Sequence, residues 1–110
     1  MGKRGMDLLR GTLDLLVLRT LRGGPSHGYG IAKAIHAATD EVLDVEEGSM
    51  YPALYRMEKR GWIVADWGVT KTKRRAKFYE LTPAGRSQLD AESSSWSEFS
   101  NAVGKVLESN

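Results

Sequence analysis

The sequence predicts a mainly α-helical chain with one small β-hairpin. Apolar positions spaced three and four residues apart recur through the first half of the chain, as in amphipathic helices. Two runs rich in β-branched and aromatic residues follow, separated by a polar loop, which is the pattern of a hairpin. A last helical pattern carries apolar residues seven apart, so a long amphipathic helix should end the chain.

Length and composition restrict the class of protein. The 110 residues suffice for one domain with a modest core, and 41% apolar with 27% charged residues is ordinary for a globular protein. The absence of cysteine excludes disulfides and thiolate metal sites. No apolar run is long enough to span a membrane and no signal-peptide pattern begins the chain, so we expect a cytoplasmic protein without membrane contact.

The first helix is predicted from about Leu8 to Arg22. It follows a loose segment, residues 1–7, in which Lys3 and Arg4 could add charge to a partner contact. Leucines lie on more than one side of the helix, which either a single core or a core plus a partner subunit would explain. The sequence Arg-Gly-Gly-Pro-Ser then ends the helix.

A second helix is predicted from about Ser26 to Thr39, with His27 as a loop residue. Gly28 and Gly30 lack the preceding strand and the third glycine of a nucleotide-binding loop, so they should instead let two helices approach closely. The inner face is expected to hold two isoleucines and two alanines: Ile31, Ala34, Ile35 and Ala38.

The third helix is predicted within residues 48–61. Ser49 is the expected N-cap, because its hydroxyl can accept a hydrogen bond from a free amide of the first turn. Pro52 would then be the third helical residue, where no intrahelical bond is lost. Gly61 suits the left-handed turn after the last residue. Three residues at i, i+4 and i+7 should form the inner face: Met50, Leu54 and Met57.

The outer side of this helix combines aromatic and cationic residues: Tyr51, Tyr55, Arg56 and Lys59. Residues 40–47 contain five acids and no bases, whereas residues 48–77 contain eight bases and two acids, a local balance of +6. Such segregation creates a positive face that attracts polyanions, although charge runs are also common on ordinary solvated surfaces. We interpret this helix as a DNA recognition helix.

The hairpin is predicted from residues 62–67 and 77–81. Its tip, residues 71–77, contains five cations: Lys71, Lys73, Arg74, Arg75 and Lys77. Folding gives no reason to crowd cations here, so we predict that they contact DNA. Two helices joined by an acidic linker and followed by a basic hairpin form a winged helix-turn-helix, which we predict for residues 1–82 as a DNA-binding domain.

The last helix is predicted from Pro83 to about Leu107, with Thr82 as its cap. Its apolar stripe has the spacing of a coiled-coil seam: Leu89, Trp96, Phe99, Val103 and Val106. Packing on the chain's own first helix is one explanation. A homodimer interface is the better one, because so small a chain has little core to cover a long stripe. Residues 83–110 are therefore predicted to be a dimerisation helix within the same structural unit.

The chain resembles the PadR family of bacterial transcriptional regulators over nearly its whole length. The combination is distinctive: His-Gly-Tyr-Gly-Ile from His27, Gly-Ser-Met-Tyr-Pro-Ala-Leu-Tyr-Arg-Met-Glu from Gly48, Gly-Trp-Ile from Gly61, and Lys-Phe-Tyr-Glu-Leu-Thr-Pro-Ala-Gly from Lys77. The single C-terminal helix is similar to the short subgroup of the family.

The resemblance implies a dimeric winged-helix repressor that binds a palindromic promoter site. Matching the family's motif implies DNA contacts by the wing cations and by five further residues: Tyr29, Ser49, Tyr51, Pro52 and Tyr55. Members are often released from DNA by small aromatic molecules, which makes Trp96 a candidate effector contact at the dimer interface. Plain core packing of Trp96 is the alternative, because large aromatic residues at such positions usually belong to a core.

Other functions have less support. The sequence lacks the nucleophile elbow, the metalloprotease motif and any Cys/His pair, so we expect no catalytic residues and no cofactor. His27 and His36 are nine apart with no acidic partner in register, so we expect no metal. The main alternative is a protein-interaction module whose basic face docks an acidic partner. RNA binding is disfavoured, because a helix does not fit the deep, narrow groove of A-form RNA.

Overall fold

The described part of the chain contains four helices and three strands, which confirms the predicted mainly α class. This computed structural model describes residues 11–109. The elements in chain order are α1 Leu13–Arg22, β1 Ser26–His27, α2 Gly28–Ala38, α3 Glu47–Lys59, β2 Ile63–Val69, β3 Arg75–Leu81 and α4 Pro83–Glu108.

The three strands form one antiparallel sheet in the order β1-β3-β2. The predicted hairpin is β2 and β3, paired from Ile63 opposite Leu81 to Val69 opposite Arg75. The strand β1 was missed in the sequence, because two residues cannot show an alternating pattern. Its pairing with β3 attaches the start of α2 to the hairpin.

Within the described residues, the helix α1 begins at Leu13. Gly11 and Thr12, which the sequence predicts to be helical, form a turn before it. The predicted start at Leu8, the expected loose segment and the cations at its beginning lie outside the described residues. The helix ends at Arg22, as the Gly-Gly-Pro sequence predicted.

The cap of α2 corrects the prediction for His27. This residue pairs with Phe78 in the sheet, and its Nδ1 atom accepts a hydrogen bond from the Gly30 amide at 3.1 Å. His27 is therefore the last residue of β1 and the N-cap of α2, not a loop residue. The buried stripe of this helix is also narrower than predicted, because Ala34 and Ala38 are exposed.

The helix α3 begins at Glu47, two residues before the predicted cap Ser49. Pro52 is consequently the sixth helical residue, where its missing N–H deprives the Gly48 carbonyl of a partner four residues on. Gly48 is exposed, so water can satisfy that carbonyl. The acidic Glu47 is favourable in the first turn of a helix, which explains how the helix extends past the expected start.

The end of α3 agrees with the prediction. Gly61 has φ +78°, and its amide donates to the Glu58 carbonyl at 3.0 Å. The Trp62 amide donates to the Met57 carbonyl at 3.1 Å, which completes a Schellman motif. The chain therefore leaves α3 in a fixed direction and enters β2 two residues later.

A single core joins the helices to the base of the sheet. Its fully buried members come from α1, α2, α3, β2 and α4: Val17, Leu18, Ile31, Met50, Leu54, Met57, Ile63 and Leu89. The three apolar residues predicted for α3 are among them. Beyond Leu89, α4 contributes no buried residue, so its last turns project from the body of a molecule measuring 55 × 31 × 21 Å.

The start of α4 is fixed against the end of α3. The Thr82 side chain accepts from the Gly85 amide at 3.0 Å, and Pro83 is the first helical residue, both as predicted. A Cβ atom at Gly85 would lie 2.0 Å from the Trp62 carbonyl oxygen, so only glycine permits this approach. Between residues 11 and 109, no helix has the length and apolar character needed to cross a membrane.

Candidate nucleic-acid interface

The outward side of α3 presents the residues predicted to contact DNA. Tyr55 is 62% exposed and Tyr51 is 45% exposed, and the neighbouring Pro52 is also exposed. The Lys59 ammonium lies 5.3 Å from the centre of the Tyr55 ring. Ser49 is half-buried and lies inside the helix, so it does not cap α3. This side of α3 combines hydroxyl donors and cations on a rigid element.

Arg56 has an intramolecular partner that its position in the sequence did not reveal. Its Nη2 atom donates to the Asp14 Oδ1 atom of α1 at 2.6 Å. Both side chains remain partly exposed to solvent. An anionic ligand at α3 would therefore compete with Asp14 for this guanidinium.

Tyr51 lies against the start of α2. A Cβ atom at Gly28 would lie 2.8 Å from the Tyr51 Cε1 atom, so the missing side chain makes room for the ring. This confirms that a glycine here lets two helices approach closely. Tyr29 and Tyr51 line the same cleft of about 420 Å³ between α2, the acidic linker and α3. Because Tyr29 and Tyr51 border one cleft, the exposed Tyr29 lies on the same side of the molecule as the outward face of α3.

Lys33 is a cation of this surface that was not predicted from the sequence. It lies on α2 with its ammonium 5.5 Å from the centre of the Tyr29 ring. The signal was present, because residues four apart meet on one side of a helix.

The wing turn covers residues 70–74, shorter than the predicted tip. The Thr70 amide donates to the Arg74 carbonyl at 2.8 Å, and the Lys73 amide donates to the Thr70 carbonyl at 2.9 Å. Lys73 adopts a left-handed conformation with φ +62°. A lysine is unfavourable there, since glycine would adopt this conformation without strain. Lys71, Lys73 and Arg74 are all exposed.

The other two predicted tip residues belong to the strand β3. Arg75 is its first residue, and its guanidinium carbon lies 4.8 Å from the centre of the Trp67 ring. The Lys77 ammonium donates to the Glu58 carboxylate of α3 at 3.3 Å, which connects the wing to this helix. Burial raises the pKa of the neighbouring Tyr79 hydroxyl, and the Lys77 charge opposes that increase.

The predicted dimer stripe divides into two parts. Leu89 is only 2% exposed, so the chain's own core already covers it and little surface remains for a partner. The other four residues are exposed on the projecting part of α4: Trp96, Phe99, Val103 and Val106. The Trp96 and Phe99 rings lie 6.3 Å apart between centres. Of the predicted stripe, Leu89 alone is covered by the chain's own core.

Comparison with known sequences and structures identifies the relatives of this arrangement. The sequence profile of the Transcriptional regulator PadR-like family matches residues 17–91. A transcriptional regulator from Clostridium thermocellum is 34% identical, with a TM-score of 0.82 over 90% of this chain and 96% of that one. A PadR family transcriptional regulator from Eggerthella lenta is 33% identical, with a TM-score of 0.78 over 96% of this chain and 89% of that one.

A curated sequence from Lysinibacillus sphaericus is also similar. It is 28% identical over 102 residues, which cover 93% of this chain and 94% of the relative. It is described only as an uncharacterised protein, so the match shows that the two chains agree over nearly their whole lengths but indicates no function.

Proposed function

The chain belongs to the PadR-like family of transcriptional regulators, and from this premise we propose that it is a homodimeric repressor of a palindromic promoter site. Membership implies regulation of transcription through binding to double-stranded DNA, and the family's members are regulators rather than enzymes. Such a regulator acts in the cytoplasm, where bacterial DNA is found.

The observation that supports DNA binding is the attachment of the wing to α3, whose outward side is exposed. The outward side of α3 exposes two tyrosines and two cations, and the Lys77–Glu58 pair holds the wing beside it. An α-helix fits the major groove of B-form DNA, where hydroxyl and cationic side chains reach base edges and phosphates. With α3 in that groove, we expect the exposed wing cations to reach the adjacent sugar-phosphate backbone.

Individual roles follow from position. We assign base-edge or phosphate contacts on α3 and α2 to these residues: Tyr29, Ser49, Tyr51, Pro52, Tyr55, Arg56 and Lys59. We assign backbone contacts in the wing to these: Lys71, Lys73, Arg74, Arg75 and Lys77. Arg56 and Lys77 would exchange a carboxylate partner for a phosphate on binding, whereas the three cations of the turn are already exposed.

The homodimer is supported by the projecting part of α4. Beyond Leu89 the helix has no buried residue, yet it carries four apolar residues at the spacing of a coiled-coil seam. A lone helix with an exposed apolar stripe is marginal in water, so a second copy is the occupant that best explains it. We place the boundary between the DNA-binding unit, residues 1–82, and the dimerisation helix, residues 83–110, within one structural unit in which Leu89 belongs to the core.

Two-fold symmetry determines the form of the operator. Two copies of α3 would have to reach successive major grooves on one face of the duplex, about 34 Å apart. Each copy would read the same half-site in opposite orientation, so the site should be palindromic. Occupation of a promoter by such a dimer would exclude polymerase, which makes repression the proposed outcome.

An effector site is proposed at the same seam. Trp96 is 45% exposed and close to Phe99, so two copies would bring four aromatic rings to one interface. Flat apolar molecules stack favourably on such rings. We propose that a small aromatic effector binds between the subunits at Trp96.

Selection of bound fragments from random duplex DNA tests the proposed function. We expect enrichment of a palindromic consensus whose half-sites are separated by one helical turn. Enrichment of a single, non-repeated motif would contradict the symmetric dimer. A failure to retain any duplex DNA, combined with capture of acidic proteins on the same column, would favour the protein-docking alternative.

A further inference from the structure

Trp67 is a large aromatic side chain that folding leaves uncovered. It lies on β2, an edge strand of the sheet, and it is 58% exposed. Trp67 belongs to neither the core nor the α4 stripe. Its place in a strand with β-branched and aromatic residues would normally suggest a core residue. The Arg75 guanidinium carbon lies 4.8 Å from the centre of its ring.

The strand register places this pair on the side of the wing that faces α3. Trp67 is opposite Lys77, and alternate residues of the two strands share one face, so Arg75 is its diagonal neighbour on that face. Lys77 reaches Glu58 of α3 from the same face. Toward the base of the sheet this face is buried, and Tyr79 is part of the core.

Arg75 also differs from Arg56 and Lys77 in its partner. Arg56 and Lys77 each have a carboxylate within hydrogen-bond distance. No carboxylate pairs with Arg75 in the described chain, and Asp66 projects from the opposite face of β2. The Arg75 guanidinium lies over the ring of Trp67, and this contact uses none of its N–H groups in an ion pair, so they are available to an acceptor.

We propose that Trp67 is a positioning residue that holds the Arg75 guanidinium ready for a phosphate of the DNA strand beside α3. The inference rests on the proposed DNA-binding function and assigns a role within it. A free arginine on a hairpin tip samples many rotamers, and ordering it on binding opposes affinity. Stacking on Trp67 orders the side chain before DNA arrives and leaves charge and hydrogen-bond capacity unchanged.

A double-mutant cycle measured on DNA tests this role. The variants are Trp67→Leu, Arg75→Ala and the double variant, each titrated with a random-sequence duplex at several salt concentrations. We expect Trp67→Leu to weaken binding by roughly two- to fivefold per wing, the range of an exposed cation–π contact. In the Arg75→Ala background the same change should have no effect. Arg75→Ala should flatten the salt slope by about 0.9 per wing, whereas Trp67→Leu should leave the slope unchanged.

Two controls separate positioning from a general effect of the substitution. Trp67→Phe keeps a ring beneath the guanidinium and should restore most of the affinity. Arg74 is the neighbouring exposed cation in the turn, and the cation that lies over Trp67 is Arg75. Trp67→Leu should therefore keep its full effect in the Arg74→Ala background. Thermal unfolding of each variant verifies that the exposed Trp67 can be replaced without loss of the fold.

The outcomes distinguish this inference from the function on which it depends. Equal effects of Trp67→Leu with and without Arg75 would show that the ring contacts DNA by itself, which overturns the positioning role. Unchanged affinity in the Trp67→Leu protein would overturn it as well. A wild-type protein that binds no duplex DNA would instead refute the proposed function.

Discussion

The Arg56 guanidinium donates to the Asp14 carboxylate at 2.6 Å, so a cation on the outward side of α3 is paired with an acid of α1. The pair joins residues 42 positions apart in the chain, and both side chains are partly exposed. Arg56 can therefore bind a phosphate only if it shares or leaves this carboxylate.

Replacing Asp14 should strengthen DNA binding at little cost to the fold. Asp14→Asn removes the competing charge, and exposed ion pairs stabilise proteins by only about 0–1 kcal/mol. We expect unfolding by denaturant to change within that range and duplex affinity to rise. Asp90→Asn, an exposed acid on α4, removes the same charge away from the pair and should have a smaller effect on affinity. Weaker binding by Asp14→Asn would show that the acid holds Arg56 in its binding geometry.

Lys73→Gly should separate the stability of the wing from its affinity for DNA. The φ of +62° at Lys73 is unfavourable for a lysine, so glycine should stabilise the protein by roughly 1 kcal/mol. Removal of the cation should nevertheless weaken duplex binding and flatten the salt slope by about 0.9 for each phosphate that is no longer neutralised.

Lys71→Gly is the matched control, because Lys71 has no left-handed backbone and the change removes the same charge. It should weaken binding without raising the unfolding temperature. A Lys73→Gly protein that is less stable than wild type would show that the lysine makes an interaction that outweighs its strain.

Phe99→Arg should convert the proposed dimer into a folded monomer. Phe99 is 62% exposed within one chain, so arginine is tolerated there, but two arginines facing each other across a seam would repel. Ser97→Arg, on the opposite side of α4, should remain dimeric. Sedimentation measures the mass of each variant, and circular dichroism verifies the fold. A dimeric Phe99→Arg protein would place the interface elsewhere.

Two glycines of α4 should respond to alanine with opposite signs. A Cβ atom at Gly85 would lie 2.0 Å from the Trp62 carbonyl oxygen, so Gly85→Ala should destabilise the chain by roughly 1–3 kcal/mol. Nothing lies within 4 Å of the corresponding atom at Gly104, so Gly104→Ala should stabilise the helix by about 0.5–1 kcal/mol. Thermal unfolding compares the two. A stabilised Gly85→Ala protein would contradict the close approach of α4 to Trp62.

Planar aromatic molecules should quench the fluorescence of Trp96. The wild-type protein has three tryptophans, and only the one on the projecting part of α4 lies at the proposed seam. Trp96→Phe keeps a ring and removes this fluorophore, so the remaining emission should not respond to the ligand. Quenching that persists in this variant would place the ligand near Trp62 or Trp67 instead.

Local signals in the sequence predicted the ends of elements more reliably than the contacts between them. Gly61 and Thr82 mark their helix ends because turn and cap chemistry involves only neighbouring residues. The helix α3 begins earlier than the prediction, because Ser49 is a good cap in isolation whereas Glu47 is favourable in the first turn of the longer helix. The length of α4 was predicted correctly, since its cap and apolar stripe agree.

The candidate site was predicted as a set of residues but not as a network. Sequence spacing showed which side of α3 is polar, yet it could not show that Arg56 and Lys77 have carboxylate partners 42 and 19 residues away. Likewise, Leu89 fits the dimer stripe by spacing, and only the packing of α4 on the core reveals that it is already covered. Trp67 was missed because an aromatic residue in a strand is normally assigned to the core.

Hydrogen bonds between Thr82 and the end of α3 fix the direction in which α4 leaves the rest of the molecule. The Thr82 amide donates to the Trp62 carbonyl at 3.1 Å, and its hydroxyl donates to the Gly61 carbonyl at 2.6 Å. The helix α4 is 26 residues long, about 39 Å at 1.5 Å per residue, so a small change of its angle moves its two ends by a large distance. In the proposed dimer, a small change in the angle between the two α4 helices would therefore shift the two α3 helices by ångströms relative to each other. The spacing of successive major grooves would then determine which angle between the two α4 helices permits binding to DNA.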